Sequence, residues 1–228
     1  MTPEQKEIVM AYMPLVQKIA YTIHKHLPSS IDVNDLIGYG VLALIESLPK
    51  IDKDKNPTAY LKLRIKGAIY DYLRSLDFAS RNVRSKEKAI KRAIEKLSME
   101  KGQEVGDEEI AEYLGESVEK LREDLQAISF SYLLSLDELF QEGRSYEELF
   151  ESKEEGPEEL AIKSDLREKL LKAIDKLDYR EKLILQLLYY EELPLKEVSK
   201  LLGISMARVS QIKANATEKL KEYLVSFV

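Results

Sequence analysis

The chain has 228 residues, of which 33% are charged, and a formal net charge of −6. This charge content favours small helical domains on linkers over one thick core. The absence of cysteine excludes disulfides and thiolate metal sites, and the two histidines, His24 and His26, would point to different faces of a helix. We find no signal peptide, membrane span, nucleotide loop or catalytic grouping. We therefore expect an intracellular, non-enzymatic protein that needs no cofactor, metal, membrane or small-molecule substrate.

Helical periodicity dominates the chain, and strand-like alternation is hard to find, so we predict an all-α protein of three small domains. Residues 3–26 predict one amphipathic helix, and a second helix begins after an N-cap at Asp32 or Asn34. A third helix is predicted over residues 58–76, with its apolar side chains turned inward. Its opposite, exposed line consists of Tyr60, Arg64, Gly67, Asp71 and Arg74.

The net negative charge hides two segments of opposite sign. Residues 60–92 contain ten bases and three acids, a net charge of +7, whereas residues 137–159 contain ten acids and two bases, a net charge of −8. A basic surface suits the phosphates of nucleic acid, and an acidic one suits a cationic surface. We therefore expect two kinds of contact.

A basic helix is predicted over residues 86–101, and residues 107–121 predict a helical hairpin that turns at Gly115. The second helix of this hairpin carries Glu116, Glu119 and Glu123, which phosphates would repel, so we expect it to pack rather than to read DNA. The acid-rich residues 137–159 predict a linker before a last helical module.

Residues 195–216 have the pattern of a helix-turn-helix. Gly203 tolerates the positive φ that ends a first helix, and Ser205 can cap the second by accepting a backbone N–H. Val209 and Ile212 recur at helical spacing and would face inward. The residues left to face outward, as groove-reading residues do, are Met206, Ala207, Arg208, Ser210, Gln211 and Lys213, and with the capping Ser205 they form the predicted DNA-contacting set.

A hairpin that only packs is the alternative, since glycine-linked helix pairs are common in all-α proteins. Two features favour DNA. Arg208 and Lys213 can reach phosphates while Gln211 can bond a base edge, and this face carries no acid before Glu218.

The order of these modules resembles the sigma-70 family of bacterial RNA polymerase sigma factors over nearly the whole chain. Residues 35–40, Asp-Leu-Ile-Gly-Tyr-Gly, are similar to the family's helix that docks on the polymerase clamp. Residues 60–84 are similar to its segment for −10 recognition and melting. The runs Arg81-Asn-Val-Arg84 and Ser135-Leu-Asp-Glu-Leu139 are closest to the flagellar branch.

The resemblance implies four parts: residues 1–85 (region 2), residues 86–136 (region 3), the linker 137–159 and residues 160–228 (region 4). It implies that core polymerase is contacted by Asp35, Leu36, Ile37, Leu44 and Ile45. It implies −10 recognition and melting by Tyr60, Arg64, Lys66, Asp71, Arg74, Phe78, Arg81 and Arg84. From the residues alone, Tyr60 could equally be a core aromatic, and the linker could be an ordinary tether instead of a segment that enters the polymerase channel.

Two functions follow. The first is a promoter-specificity subunit that binds core RNA polymerase and promoter DNA, reads −35 with the last helix and melts −10 at flagellar promoters. The resemblance also implies an inhibitory anti-sigma partner similar to FlgM, which we expect to bind around residues 183–190. The second function is a stand-alone helix-turn-helix regulator, which would bind duplex DNA without polymerase. A protein-only adaptor would leave both basic surfaces unexplained.

Overall fold

The computed structural model describes residues 2–50, 57–76, 81–141 and 168–225, and the regular structure within these ranges is helical. This confirms the all-α prediction. Contacts between residues divide the chain into two compact units, with the described residues up to Leu76 in the first and those from Arg81 onward in the second. Among these described residues, no helix is both long enough and apolar enough to cross a membrane.

Three helices make the first unit: α1 (Pro3–His24), α2 (Val33–Ser47), which continues into a 3-10 turn (Leu48–Lys50), and α3 (Pro57–Ser75). A capping box starts α1, because the Thr2 hydroxyl accepts the Gln5 N–H while the Gln5 side chain accepts the Thr2 N–H. Asp32 is the residue that caps α2, accepting the Asn34 N–H at 2.8 Å.

Helix α2 packs against both α1 and α3, and Gly40 is the point of closest approach. A Cβ at Gly40 would lie 2.7 Å from Val16 Cγ1 and 3.2 Å from Ile65 Cγ2, so only glycine fits here. The apolar stripe of α2, including Leu36 and Leu44, fills the core of this unit. Helix α2 is therefore held on two sides, by α1 and by α3.

The second unit contains α4 (Arg81–Lys101), α5 (Asp107–Leu114), α6 (Val118–Gln141), α7 (168–175), α8 (Tyr179–Leu185), a π-helical turn (Gln186–Tyr190), α9 (Leu195–Leu202) and α10 (Met206–Val225). One hydrophobic core joins its two halves. Ile110 of α5 and Leu121 of α6 lie in the same buried cluster as Ile184 of α8 and Val209 of α10. The modules predicted over residues 86–136 and 160–228 thus share a core.

Two boundaries differ from those expected. Helix α4 begins at Arg81, five residues before the predicted start of the basic helix. Helix α6 runs through Gln141, so the first residues of the predicted linker, 137–141, are helical, because the apolar periodicity continues through the buried Phe130 and Leu134. The rest of the linker and the start of the last module, residues 142–167, lie outside the described residues.

Candidate nucleic-acid interface

The C-terminal helix pair has the geometry of a helix-turn-helix, as predicted. Gly203 ends α9 in the left-handed region at φ 66°, and the Ile204 N–H donates to the Ser199 carbonyl at 3.1 Å. Ser205 Oγ then accepts the Arg208 N–H at 3.2 Å, which caps α10. Val209 is fully buried on the inner side of α10.

The prediction that the start of α10 faces solvent is wrong for the chain in this conformation. Met206 and Ala207 are only 2% exposed, and Ser210 and Lys213 only 5%. Ser205, Arg208 and Gln211 are half-buried. The physical reason is that helices α4, α5 and α6 cover this face of the C-terminal hairpin, a contact that we call the closed interface.

Asp107, the first residue of α5, sits at the N-terminus of α10. Its carboxylate accepts the Ala207 N–H at 3.1 Å and the Met206 N–H at 3.4 Å, and it is only 5% exposed. Free N–H groups at a helix N-terminus attract anions, including phosphate. Asp107 therefore fills the anion-binding position at the N-terminus of α10 with a carboxylate of the same chain.

The two long polar side chains at the start of α10 bond to each other. Arg208 Nη1 donates to Gln211 Oε1 at 2.8 Å, and Arg208 Nε lies 3.3 Å from Glu104 Oε1 in an ion pair. Both groups that we expect to reach DNA are thus engaged within the protein. Reading a base would require this arrangement to break.

Lys213 is the most deeply placed basic group of α10. Its Nζ donates to the Ser129 carbonyl at 2.7 Å and to Ser129 Oγ at 2.6 Å, both on α6. The same Nζ lies 5.2 Å from the centre of the Tyr189 ring. Burial lowers the pKa of Lys213 to about 7.

Sequence reasoning missed the residues that hold this face: Glu104, Asp107, Ser129 and Tyr189. Asp107 opens α5, where an acid normally serves its own helix, so nothing local points to a second helix almost a hundred positions away. Tyr189 lies in a π-helical turn, which periodicity does not reveal. The contacts of these residues join parts of the chain that are far apart in sequence, so a local sequence pattern does not reveal them.

The first hairpin, residues 107–121, is formed as predicted and packs into the shared core through Ile110 and Leu121. Gly115 ends α5 at φ 70°. Glu116 accepts a hydrogen bond from Lys86 Nζ at 2.9 Å, and this bond, with a further one to Asp124, raises the pKa of Lys86. Glu116, which was predicted on the second helix, lies in the turn before α6 and binds a lysine of α4.

Helix α3 carries most of the residues expected at −10. Lys66 is exposed with its Nζ 5.4 Å from the Tyr70 ring centre, and Arg74 pairs with the exposed Asp71. Tyr60 and Arg64 are half-buried.

The predicted exposed line on α3 is wrong at Gly67, which is buried. Tyr70, one turn further on, is buried as well, so the covered side of α3 is wider than the apolar residues alone predict. The remaining −10 residues, Phe78, Arg81 and Arg84, lie outside α3. Arg84 is exposed on α4, in the second unit. Phe78 and the side chain of Arg81 lie outside the described residues.

Two of the predicted polymerase contacts on α2 are wrong. Leu36 and Leu44 are fully buried, because the apolar stripe of α2 faces α1 and α3 rather than solvent. Ile37 is half-buried, while Asp35 and Ile45 are exposed as a contact requires. The exposed face also presents Tyr39 and Leu42, which the sequence interpretation did not include.

Tyr72 of α3 supports this exposed face. Its ring stacks on Tyr39 with 4.2 Å between the centres, and its hydroxyl donates to Asp35 Oδ2 at 3.2 Å. Burial and the hydrogen bond to Asp35 raise the pKa of Tyr72. The stacked pair connects α2 to the helix that carries the −10 residues.

Among the described residues, no three histidine, aspartate or glutamate side chains converge so as to hold a metal ion.

Comparison with known proteins places each segment. Residues 8–78 match Sigma-70 region 2, residues 86–161 match Sigma-70 region 3, and residues 173–222 match Sigma-70, region 4. The chain is 35% identical to the RNA polymerase sigma factor FliA of Escherichia coli strain K12, over 93% of this chain and 91% of that protein. It is 36% identical to the RNA polymerase sigma-D factor of Bacillus subtilis strain 168, over 96% of this chain and 88% of that protein.

A solved structure is also similar along the whole length. It is described as the cocrystal structure of the flagellar sigma/anti-sigma complex, Sigma-28/FlgM. The matching chain is 51% identical, with a TM-score of 0.88, and the match covers 99% of both chains.

Proposed function

Because this chain belongs to the sigma-70 family of RNA polymerase sigma factors, we propose that it is an alternative sigma factor that directs core RNA polymerase to flagellar-type promoters. The observation that carries the proposal is that regions 2, 3 and 4 match in order along one chain, with helix-turn-helix geometry in the last. The stand-alone regulator is not favoured, because it accounts only for the C-terminal hairpin.

In this proposal, α10 reads the −35 element. Arg208 and Lys213 supply cations for phosphates, and Gln211 supplies an amide for a base edge. Met206 and Ala207 stand at the start of the recognition helix, so the apolar methyl of thymine is a suitable partner there. These contacts require the closed interface to open first, since a duplex cannot reach side chains that are only 2% exposed.

Region 2 recognises and melts the −10 element in the same proposal. Tyr60 on α3 offers a ring for a flipped base, with Arg64 and the exposed Lys66 beside it as cations for the displaced strand. Asp71 and Arg74 lie further along the same helix. The same role is assigned to three residues that follow α3 in the sequence, Phe78, Arg81 and Arg84.

Core polymerase binds the exposed face of α2. This face comprises Asp35, Tyr39, Leu42 and Ile45, and it mixes one carboxylate with exposed apolar groups. Such a composition suits a protein partner, because apolar surface that stays exposed on a small domain marks an interaction site. An anti-sigma protein of the FlgM type is the further partner, and Tyr190, which is 81% exposed in the π-helical turn, is the group that we assign to it.

Reconstituted transcription tests this function. Full-length chain and purified core polymerase are combined on a flagellar-type promoter and on the same promoter with a scrambled −35 element, and strand opening is read by permanganate footprinting. We expect opening that depends on both the chain and −35. Leu42→Asp should abolish binding to core, whereas Lys200→Ala, a change on the exposed face of α9, should not.

Failure to bind core polymerase would overturn the proposal. Tight binding of the free chain to a −35 duplex would instead support the stand-alone regulator, because that regulator needs no polymerase to expose its recognition helix.

A further inference from the structure

The Lys213 side chain is buried at the closed interface with no negatively charged group paired to it among the described residues. Its Nζ bonds to two oxygens of Ser129, and among the described residues no carboxylate lies within 4.0 Å of it. Other lysines of the same unit are paired: Lys219 Nζ lies 2.6 Å from Glu181, and Lys86 Nζ lies 2.9 Å from Glu116. A buried ammonium whose partners are two neutral oxygens and the face of one tyrosine ring is an expensive arrangement.

The charged groups around this interface are engaged elsewhere. On α4, Glu87 accepts the hydrogen bond of the Tyr132 hydroxyl of α6, and Glu218 of α10 lies 3.4 Å from the same hydroxyl. On α8, Glu181 binds Lys219, and on α5, Asp107 binds the start of α10. The titratable group that faces Lys213 directly is Tyr189 of the π-helical turn, and burial raises its pKa, so its phenol stays neutral. None of these groups supplies a negative charge that pairs with the Lys213 ammonium.

We propose that Lys213 is a proton-coupled latch: the closed interface holds Lys213 neutral, and opening it returns a charged lysine to the DNA-facing side of α10. The latch itself depends only on the closed interface. Its use at a promoter rests on the function proposed above, in which release of α10 and recovery of a phosphate-binding cation become the same event.

The direction of the pH dependence follows from linkage. An exposed lysine has a pKa of 10.5, and burial in the closed form lowers the pKa of Lys213 to about 7. Between these values the open form binds the extra proton, so lowering the pH favours opening. The open-to-closed ratio should rise about tenfold for each pH unit lost in this window, and it should level off below pH 7.

The sequence of the second unit contains no histidine and no cysteine, the side chains whose ordinary pKa values lie closest to neutrality. Both histidines, His24 and His26, belong to the first unit, and the sequence has no cysteine. A pH-dependent opening of this interface between pH 7.5 and 9.5 would therefore point to a displaced lysine rather than to the usual titrating groups.

Opening can be measured on the full chain because it has no native cysteine. Nitroxide labels at Met99→Cys on α4 and Leu201→Cys on α9, which are 86% and 63% exposed, would report the distance across the interface by pulsed electron resonance. We expect the open population to fall about a hundredfold from pH 7.5 to 9.5. Lys213→Met should keep the interface closed at every pH, and Lys213→Arg should open it at every pH, because arginine stays charged.

The control and a second readout keep the test decisive. Lys200→Met removes an exposed lysine of α9 and should leave the pH profile unchanged. Lysine side-chain NMR of the unsubstituted chain should show one resonance titrating near pH 7, identified by its loss in Lys213→Arg. The proposal is overturned if every lysine titrates near 10, or if Lys213→Met keeps the pH slope. Neither measurement involves polymerase, so a failure here is distinct from a failure of the proposed function.

Discussion

The two helical hairpins of the second unit have nearly the same local structure, but the second helix of each carries different side chains on its outer face. With Gly115 aligned on Gly203, both turns lie in the left-handed region, at φ 70° and 66°. The following serines cap alike: Ser117 Oγ accepts the Lys120 N–H at 3.1 Å, and Ser205 Oγ accepts the Arg208 N–H at 3.2 Å. The local sequence is therefore sufficient to make the same turn twice.

The outer faces differ in size and charge. The position of Glu119 in the first hairpin, which is exposed, corresponds to Ala207 in the second, which is buried. A small neutral side chain lets α10 lie close against α5, and Asp107 reaches its N–H groups. Turn chemistry therefore decides whether a hairpin forms, while the side chains on its outer face decide which helices cover it.

The largest expected effect comes from giving the second hairpin the outer face of the first. Ala207→Glu places a carboxylate at a buried position beside Asp107, and we expect it to destabilise the closed interface by about 3 kcal/mol or more. Distance measurements between labels at Met99→Cys and Leu201→Cys would show the interface fully open.

Its matched control is the reciprocal change in the first hairpin. Glu119→Ala alters an exposed side chain and should change the free energy of unfolding by less than about 0.5 kcal/mol. If Ala207→Glu left the interface closed, the outer face would not be what decides the packing.

Asp107→Asn is the next largest change. It keeps the shape of the side chain and removes the negative charge at the N-terminus of α10, so we expect the closed interface to lose about 1–2 kcal/mol. Affinity of the free chain for a −35 duplex should rise about tenfold, as measured by fluorescence anisotropy.

Glu108→Gln is the control for Asp107→Asn. Arg122 of α6 pairs with both acids, at 3.5 Å from Asp107 and 3.3 Å from Glu108, but the exposed Glu108 makes no hydrogen bond or ion pair with α10 among the described residues. A similar rise in DNA affinity from both substitutions would mean that charge on α5 acts generally and not through the cap.

Much of the fold could be predicted from the sequence, because it depends on local signals. Periodicity predicted the helices, Gly203 and Ser205 predicted the second turn, and Asp32 was one of two predicted caps. Each of these signals acts within a few residues. The start of α4 was missed because residues 81–85 contain only one apolar side chain, Val83, so periodicity does not extend the helix to them. The end of α6 was missed because its apolar pattern continues past the acids that suggested a linker.

The candidate site was predicted less completely, since the outcome depends on contacts distant in sequence. Leu36 and Leu44 belong to a motif that suggests polymerase binding, yet their side chains fill the core. Lys213 lies on the correct helix, but its bond to Ser129 joins residues 84 positions apart. A sequence pattern identifies a helix face without saying which other helix covers it.

Substitution of the two turn glycines tests whether the two hairpin turns are equivalent. Gly115→Ala and Gly203→Ala each force an alanine to positive φ, and a Cβ at either position would meet nothing within 4 Å. The cost is therefore conformational, about 1 kcal/mol in each case. Because both hairpins share one core, urea unfolding of the full chain should report equal losses, and a difference above about 1 kcal/mol would mean that the turns are not equivalent.

The smallest expected effect is at the edge of the closed interface. Glu104 pairs with Arg208 at 3.3 Å, but more than half of the Glu104 side chain is exposed, so Glu104→Gln should change the stability of the interface by less than about 0.5 kcal/mol. The substitution should nevertheless make opening less dependent on salt, because salt screens an exposed ion pair. Label distances measured from 0.05 to 0.5 M salt would show this, and an unchanged salt dependence would mean that Asp107 and Lys213 account for the electrostatics of the interface without help from its rim.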